Sequence, residues 1–169
     1  TKGSWLKFNG VTAEQMADAV FVLGEDVTNV APRLSLALRQ SVRHQPMKIA
    51  ERLRIPEWDD AAVREAVQQQ RGPLFIATTG STSLDDVATE TYRGAPDDLA
   101  RLGFVVAQAL NSDAPKVANL PDDVSALANR IAVALKEAER PLVISGVSCG
   151  REAVIQSAAN VAWALCAAG

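Results

Sequence analysis

Three short apolar runs predict buried strands. They cover residues 19–23 (AVFVL), 73–77 (PLFIA) and 141–145 (PLVIS), and in each run the apolar residues follow one another without alternating polar positions. A continuous apolar run is typical of a strand that is covered on both faces, as in a parallel sheet. Proline opens the second and third runs, at a position where a strand tolerates a missing amide donor.

Five further segments carry apolar residues at the i, i+3, i+4, i+7 spacing of one buried helical stripe. They cover residues 32–43, 59–70, 97–110, 122–138 and 151–167. The alternation of strands and helices predicts an α/β protein, with a short parallel sheet or sheets flanked by helices in a Rossmann-like arrangement.

Residues 111–122 contain Asn, Ser, Asp and two prolines, a composition that is typical of a linker. We therefore predict an α/β lobe with two strands over residues 1–112 and a linker over residues 113–122. The start of a second lobe, with one strand and one helix, is predicted over residues 123–169. The sequence leaves open the strand order and whether the two lobes pack together.

The composition is that of an ordinary globular protein. The 169 residues are 48% hydrophobic and 22% charged, with a net charge of −3. No strongly basic stretch is present, so nucleic-acid binding is not predicted. No apolar run approaches the roughly 20 residues that span a bilayer, so no direct membrane insertion is predicted. The chain begins at Thr1 and shows no signal peptide, which indicates a segment of a longer protein.

The cysteines and the histidine do not form a predicted catalytic or metal site. Cys149 and Cys166 lack the short paired spacings of a metal site, and each is interpreted as a small buried hydrophobic residue. Cys149 precedes a predicted helix, whose N-terminus can lower a thiol pKa, so a reactive thiol is the alternative. His44 is the one histidine, and we expect it in a polar position just after a helix.

Pairs of aspartates recur along the chain, each at the start of a helical pattern. They are Asp59 and Asp60, Asp85 and Asp86, Asp97 and Asp98, and Asp122 and Asp123. Such pairs can serve acid–base catalysis or hold a cation. At helix starts they are better explained as caps and as charges that complement the helix dipole. Residues 83–86 (SLDD) resemble a capping box in which Asp replaces Glu.

The loops that follow the strands are where an α/β sheet usually holds ligands. The first loop has one glycine, Gly24, and two acidic residues, Glu25 and Asp26, which would repel a phosphate. The second loop, residues 78–83 (TTGSTS), could hold a phosphate at a helix start, but a plain capped turn is favoured because it contains no lysine. The third loop, residues 146–150 (GVSCG), lacks the order of a nucleophile elbow. No catalytic, cofactor-binding or metal-binding residue is therefore predicted.

Several segments, taken together and in this order, resemble one known family. They are residues 18–29 (DAVFVLGEDVTN), 34–40 (LSLALRQ), 84–88 (LDDVA), 91–93 (TYR), 98–104 (DLARLGF), 141–146 (PLVISG) and 158–162 (AANVA). This pattern resembles the large G subunit of bacterial NADH:quinone oxidoreductase, respiratory complex I.

The C-terminal part of that subunit is in turn similar to molybdopterin oxidoreductases such as formate dehydrogenase. In those enzymes, strands that end in Gly-x-Asn and in Asp-Pro-Arg help hold the pterin guanine dinucleotide. The corresponding residues here are Gly24-Glu25-Asp26 and Ala77-Thr78-Thr79. The resemblance therefore implies a molybdopterin oxidoreductase type of fold that has lost its cofactor. Iron–sulfur clusters are expected in the N-terminal part of the parent chain, outside this segment.

The resemblance implies a structural, cofactor-free domain that supports electron transfer from NADH to quinone without carrying redox groups. Its expected partners are other subunits of the complex I peripheral arm, at the cytoplasmic face of the cell membrane. Two alternatives stay open. Residues 138–146 (AERPLVISG) also resemble the central domain of thiamine-diphosphate enzymes, although the Gly-Asp-Gly motif is absent. The third possibility is a fragment that binds molybdopterin guanine dinucleotide in an intact pocket.

Overall fold

The computed structural model describes residues 17–42, 72–118 and 120–168. Within these ranges the elements, in chain order, are β1 (Ala19–Leu23), α1 (Val27–Val30), α2 (Pro32–Ser41), β2 (Leu74–Thr78), β3 (Glu90–Arg93), α3 (Pro96–Leu110), α4 (Asp122–Glu137), β4 (Pro141–Ser145) and α5 (Glu152–Ala168). The predicted helix over residues 59–70, with its aspartate pair, lies outside the described residues, and so does His44.

The described strands form one parallel sheet in the order β3-β2-β1-β4. Phe21 of β1 lies level with Phe75 of β2 on one side and with Val143 of β4 on the other. The predicted strands over residues 19–23 and 141–145 are confirmed, and the second strand is shifted by one residue, to Leu74–Thr78. The prediction of an α/β protein with a parallel sheet flanked by helices is confirmed.

Strand β3 was not predicted. Its sequence is ETYR, its residues are half-buried or exposed, and it lies at the outer edge of the sheet beside β2. A search for continuous apolar runs finds strands that are covered on both faces, whereas an edge strand is stabilised by pairing with a single neighbour. Two predicted helices do form between the second and third apolar strands, and β3 precedes both of them.

Strand β4 follows the predicted linker, residues 113–122, and nevertheless pairs with β1 along its whole length, from Ala19 beside Pro141 to Leu23 beside Ser145. Asp18 strengthens this connection, because its carboxylate accepts hydrogen bonds from the amides of Glu139 at 3.0 Å and Arg140 at 2.8 Å. Residues on both sides of the predicted linker thus share one sheet.

The four predicted helices that fall in the described ranges form within two residues of their predicted ends. Proline occupies the first turn of α2 and α3, where its missing amide donor costs nothing. The aspartate pairs lie in the first turns of α3 and α4, but no side-chain hydrogen bond caps either helix, so these pairs complement the dipole without capping. Among the described helices, none is both long and apolar enough to cross a membrane.

The sheet separates two apolar clusters. Phe21 and Leu23 of β1 face α3, α4 and α5, whereas Val20 and Val22 face the side that α2 covers. Full burial of a Phe or Leu side chain contributes about 1.5–3 kcal/mol. Helices α3 and α5 approach closely at Gly103, where an added Cβ would lie 2.4 Å from Ser157 Oγ and 2.6 Å from Leu23 Cδ2. This close approach fixes α5 against the rest of the core.

Candidate functional site

The loops that follow β1, β2 and β4 meet at the carboxyl edge of the sheet. They surround a cleft of about 150 Å³, which is lined by Gly24 and Asp26 of the first loop, residues 78–82 of the second, and Ser148 and Cys149 of the third. The carboxyl ends of parallel strands are the usual ligand-binding edge of such sheets. The cleft is therefore the candidate site, and it contains all three loops that the sequence singles out.

Glu25 fills the space beside this cleft with a buried carboxylate. Its side chain accepts hydrogen bonds from the Ser148 hydroxyl, from the Ser148 amide at 3.4 Å and from the Asp26 amide at 3.1 Å. The residue is only 6% exposed. A Cβ added to Gly146 would lie 1.8 Å from Glu25 Oε2, so the carboxylate occupies the volume directly against that glycine. Burial of a charged group is tolerated here because hydrogen-bond donors surround it.

Asp26 uses its carboxylate to begin helix α1. Its Oδ1 accepts hydrogen bonds from the Thr28 amide at 3.1 Å and from the Thr28 hydroxyl, and its Oδ2 accepts one from the Asn29 side chain. The hydrogen bond from the Thr28 hydroxyl, followed by that from Asn29, holds the pKa of Asp26 below its usual value against the opposing effect of burial. Asp26 therefore carries a negative charge into the cleft, which disfavours a bound phosphate.

Two hydroxyl groups of the second loop are hydrogen-bonded within the chain. Thr78 Oγ1 donates to the Gly80 carbonyl at 2.8 Å, and Thr82 Oγ1 donates to Asp85 Oδ1 at 2.9 Å. Residues 84–88 form a turn closed by a 3.0 Å hydrogen bond from the Ala88 amide to the Leu84 carbonyl, and β3 begins at residue 90. No helix follows this loop, so the helix start on which the phosphate alternative depended is absent from it.

The predicted capping box does not form, and only its carboxylate half is present, one residue earlier. Asp85 accepts hydrogen bonds from the Thr82 amide at 3.1 Å and from the Thr82 hydroxyl at 2.9 Å, whereas the Asp85 amide donates to the Thr82 carbonyl. The prediction assigned these roles to Ser83 and Asp86, at the start of a helix. The segment forms a turn instead, within the connection between the adjacent parallel strands β2 and β3.

The aspartates of this turn are bound by arginines. Asp86 binds Arg39 of α2 through two hydrogen bonds of 2.9 Å, and Asp85 binds Arg93 of β3. Burial acts to raise the pKa of Asp85, but the hydrogen bonds from Arg93 and Thr82 hold it below its usual value. The hydrogen bond from Arg39 similarly lowers the pKa of Asp86. This pair fastens the turn to α2 and β3, which argues against acid–base catalysis or cation binding.

Cys149 lies in the cleft as a protonated thiol. Its Sγ donates to the Gly24 carbonyl at 2.9 Å, and burial, followed by the negative charge of Glu25, raises its pKa. A raised pKa disfavours the thiolate, which is the reactive form of a cysteine, and so argues against the reactive-thiol alternative. Cys166 is exposed on α5, so the prediction that it is buried is wrong. In the described part of the chain, no cluster of three or more His, Cys, Asp or Glu could hold a metal ion.

Known proteins resemble this chain over most of its length. Over 148 residues, or 88% of the chain, it is 54% identical to the G subunit of NADH-quinone oxidoreductase from Pseudomonas fluorescens. It is 51% identical over 148 residues to the G subunit from Pseudomonas putida and 43% identical to that from Escherichia coli (strain K12). The chain is homologous to a segment of the NADH-quinone oxidoreductase G subunit. The resemblance predicted from the sequence is thereby confirmed.

The chain spans only 16% of the length of each of these relatives. No protein-family model matches it. The chain also contains one site residue that sequence reasoning missed. Ser148 is the hydrogen-bond partner of Glu25, although 123 positions separate the two residues. No local pattern reports this contact, because only the pairing of β1 with β4 brings the two loops together.

Proposed function

We propose that this chain is a structural, cofactor-free segment of a complex I G subunit, which supports electron transfer from NADH to quinone without carrying redox groups itself. The observation that carries the proposal is Glu25. Its buried carboxylate, bound by Ser148, fills the space between two of the loops that would otherwise cradle a ligand. A ligand phosphate at this edge would meet negative charge from both Glu25 and Asp26.

The proposal also concerns the type of fold. A parallel sheet with helices and a cleft at its carboxyl edge is compatible with a Rossmann-like domain of the molybdopterin oxidoreductase type. The cleft volume of about 150 Å³ is well below the roughly 300–1,000 Å³ of typical ligand pockets. A pterin guanine dinucleotide is larger than a drug-sized ligand, so the volume argues against an intact cofactor pocket. We infer that the fold is kept and the cofactor lost.

The thiamine-diphosphate alternative has no observation in its favour. Its basis was the apolar strand and glycine of residues 138–146, which any α/β protein with a buried strand can contain. The relatives that match this chain are G subunits of NADH-quinone oxidoreductase.

The partners and location follow from the same proposal. We expect the segment to contact other subunits of the peripheral arm, at the cytoplasmic face of the membrane, with the iron–sulfur clusters elsewhere in the parent chain. The support is the name of the relatives, which are subunits of a multi-subunit oxidoreductase. The segment would then matter for assembly and would leave electron transfer to other parts of the protein.

An assembled complex tests this role. The chain would replace the matching 148 residues in the G subunit from Pseudomonas fluorescens. Thr79→Ala alters an exposed cleft residue, and we expect the assembled complex to keep its full NADH:quinone reductase activity. Gly103→Val, which prevents close packing of α3 and α5, should lower the amount of assembled complex while leaving activity per assembled complex unchanged. A loss of activity per complex in Thr79→Ala, with assembly intact, would contradict a purely structural role.

A further inference from the structure

The two outer strands of the sheet differ in composition. Strand β3 presents charged and polar residues, with Glu90 bound to Arg130 of α4 and Arg93 bound to Asp85. A short strand with charged side chains is typical of a natural sheet edge, because charges discourage further pairing. The side of the sheet formed by β3 therefore resembles a sheet edge that pairs with no further strand.

Strand β4 has the composition of an internal strand and the exposure of an edge strand. Its sequence, PLVIS, contains no charge, as in β1 and β2, whose residues are all buried. Every residue of β4 is only partly buried, and in the described part of the chain β4 pairs with β1 alone. Leu142 and Ile144 face one apolar cluster while Val143 faces the other, so both faces of the strand are apolar. Continuous apolar strands of this kind occur in sheets that are covered on both faces.

Helix α5 carries two apolar stripes, although a surface helix needs only one. The inner stripe includes Val154, Ala158 and Val161, all buried. The outer stripe is marked by Ile155, which is 40% exposed, and Trp163, which is 69% exposed. Its remaining members, Ala159, Ala162 and Cys166, are small and apolar or weakly polar.

Apart from the buried Ser157, the polar residues of the same helix form a narrow line along it. Glu152, Gln156 and Asn160 follow one another at intervals of four, and hydrogen bonds join Gln156 Nε2 to Glu152 Oε1 at 2.7 Å and Asn160 Nδ2 to the Gln156 carbonyl at 2.8 Å. A helix that is apolar on most of its surface is buried within a larger protein. The composition of α5 thus agrees with that of β4, the strand it follows and contacts.

We propose that β4 and the outer stripe of α5 form the surface where the sheet continues in the longer protein. A further strand of the same polypeptide pairs with the edge of β4 that no described strand pairs, and an apolar element of that polypeptide packs on Trp163. This inference rests on the proposed function only in taking the chain as a segment of the G subunit. The match covers 16% of each relative, so most of each relative's polypeptide lies outside it and can supply these elements.

The sheet itself favours this occupant over a second copy of the chain. All described strand pairs are parallel, and a further parallel strand is supplied through a crossover within one polypeptide. Two copies related by a two-fold axis would pair their β4 strands in antiparallel fashion, which departs from the pattern of the sheet. The continuing polypeptide preserves that pattern and also covers α5.

Hydrogen exchange tests the strand. The exchange of β4 and β3 amides would be measured in the 169-residue chain and in the full-length Pseudomonas fluorescens protein in which this chain replaces the matching segment. We expect β4 amides to exchange about tenfold or more slowly in the full-length protein, while β3 amides change by less than about twofold. Equal exchange of β4 amides in the two proteins would overturn the proposal, and it would leave the account of the cleft untouched.

Two matched substitutions test the helix. Trp163→Gln alters the outer stripe of α5, and Val133→Gln alters an α4 residue that is also exposed, at 54%. We expect Trp163→Gln to leave the melting temperature of the 169-residue chain unchanged and to lower that of the full-length protein, with Val133→Gln neutral in both. No change in the full-length protein would overturn the proposal. A dimer of the shorter chain that Trp163→Gln dissociates would overturn it too, since the occupant would then be a second copy.

Discussion

The outer strands β3 and β4 show how different residues can occupy equivalent places in one sheet. At β3 the two charged side chains, Glu90 and Arg93, are partly buried and each has a partner, such as Arg130, which binds Glu90 through hydrogen bonds of 2.8 and 2.6 Å. At β4 the side chains are apolar and only half-covered. The β3 side is held by ion pairs at the surface, whereas the β4 side is held by the packing of α5 and by pairing with β1. The two sides should therefore respond differently to substitution and to pH.

The largest effect is expected from the packing that supports β4. Gly103→Val places new atoms against Ser157 and Leu23, at the point where α3 meets α5. Overpacking of this kind costs about 1–3 kcal/mol of stability. We expect a loss at the upper end of this range because the added side chain would clash with two buried residues. Urea unfolding would measure the loss. Gly80→Ala is the matched control, since no atom lies within 4 Å of its added Cβ, and stability equal to that of the control would contradict the packing account.

A smaller effect is expected where β4 joins β1. Asp18→Ala removes the carboxylate that accepts hydrogen bonds from the amides of Glu139 and Arg140, which should cost about 1–2 kcal/mol. Faster amide exchange at these two residues would locate the loss at the start of β4. Asp18→Asn keeps one acceptor oxygen and should retain part of the stability. Equal stability of the alanine variant and the original chain would show that these hydrogen bonds contribute nothing.

The smallest effect is expected at the β3 edge, and it depends on pH. The hydrogen bond from Arg130 holds the pKa of Glu90 below its usual value, against the effect of burial. A carboxyl with a lowered folded pKa stabilises the protein above its unfolded pKa, and that contribution is lost as the pH falls through the folded pKa. Glu90→Gln should therefore lower stability slightly at neutral pH and not at acid pH. Urea unfolding at both pH values measures the difference, which solvent exposure keeps small.

If the stability difference between Glu90→Gln and the original chain is equal at the two pH values, the ion-pair account of the β3 edge is contradicted. Arg130→Gln provides the complementary variant, because it leaves the glutamate titratable and removes its partner. The free energy of unfolding of Arg130→Gln should lack the same pH-dependent contribution that Glu90→Gln removes.

The contrast between the strands also explains what sequence alone could predict. The positions of β1, β2 and β4 follow from local apolar runs, because each strand is built to be covered on both faces. Strand β3 could not be found this way, since ETYR becomes a strand by pairing with β2 and by binding charges on distant elements. The sharing of one sheet across residues 113–122 was hidden for the same reason. A proline-rich connection has the same local composition whether it joins two lobes or connects elements of one sheet.

The candidate cleft was predictable in its parts and not in its assembly. The acidic character of Glu25 and Asp26 and the hydroxyls of residues 78–82 are visible in the sequence. The burial of Glu25 against Gly146 and its bond with Ser148 require the β1–β4 register. The raised pKa of Cys149 likewise comes from burial and then from this carboxylate, and no local motif indicates either of them.

The most direct measurement for the cofactor-free account is an NMR titration of the 169-residue chain with GDP. GDP carries the guanine and the phosphates of the cofactor that a molybdopterin-type pocket would hold. We predict that at millimolar GDP the amide signals of Gly24, Thr79, Gly80 and Ser148 do not shift, because Glu25 fills the space beside a cleft of only about 150 Å³ and Asp26 repels phosphate. A saturable shift confined to these cleft amides would contradict the account.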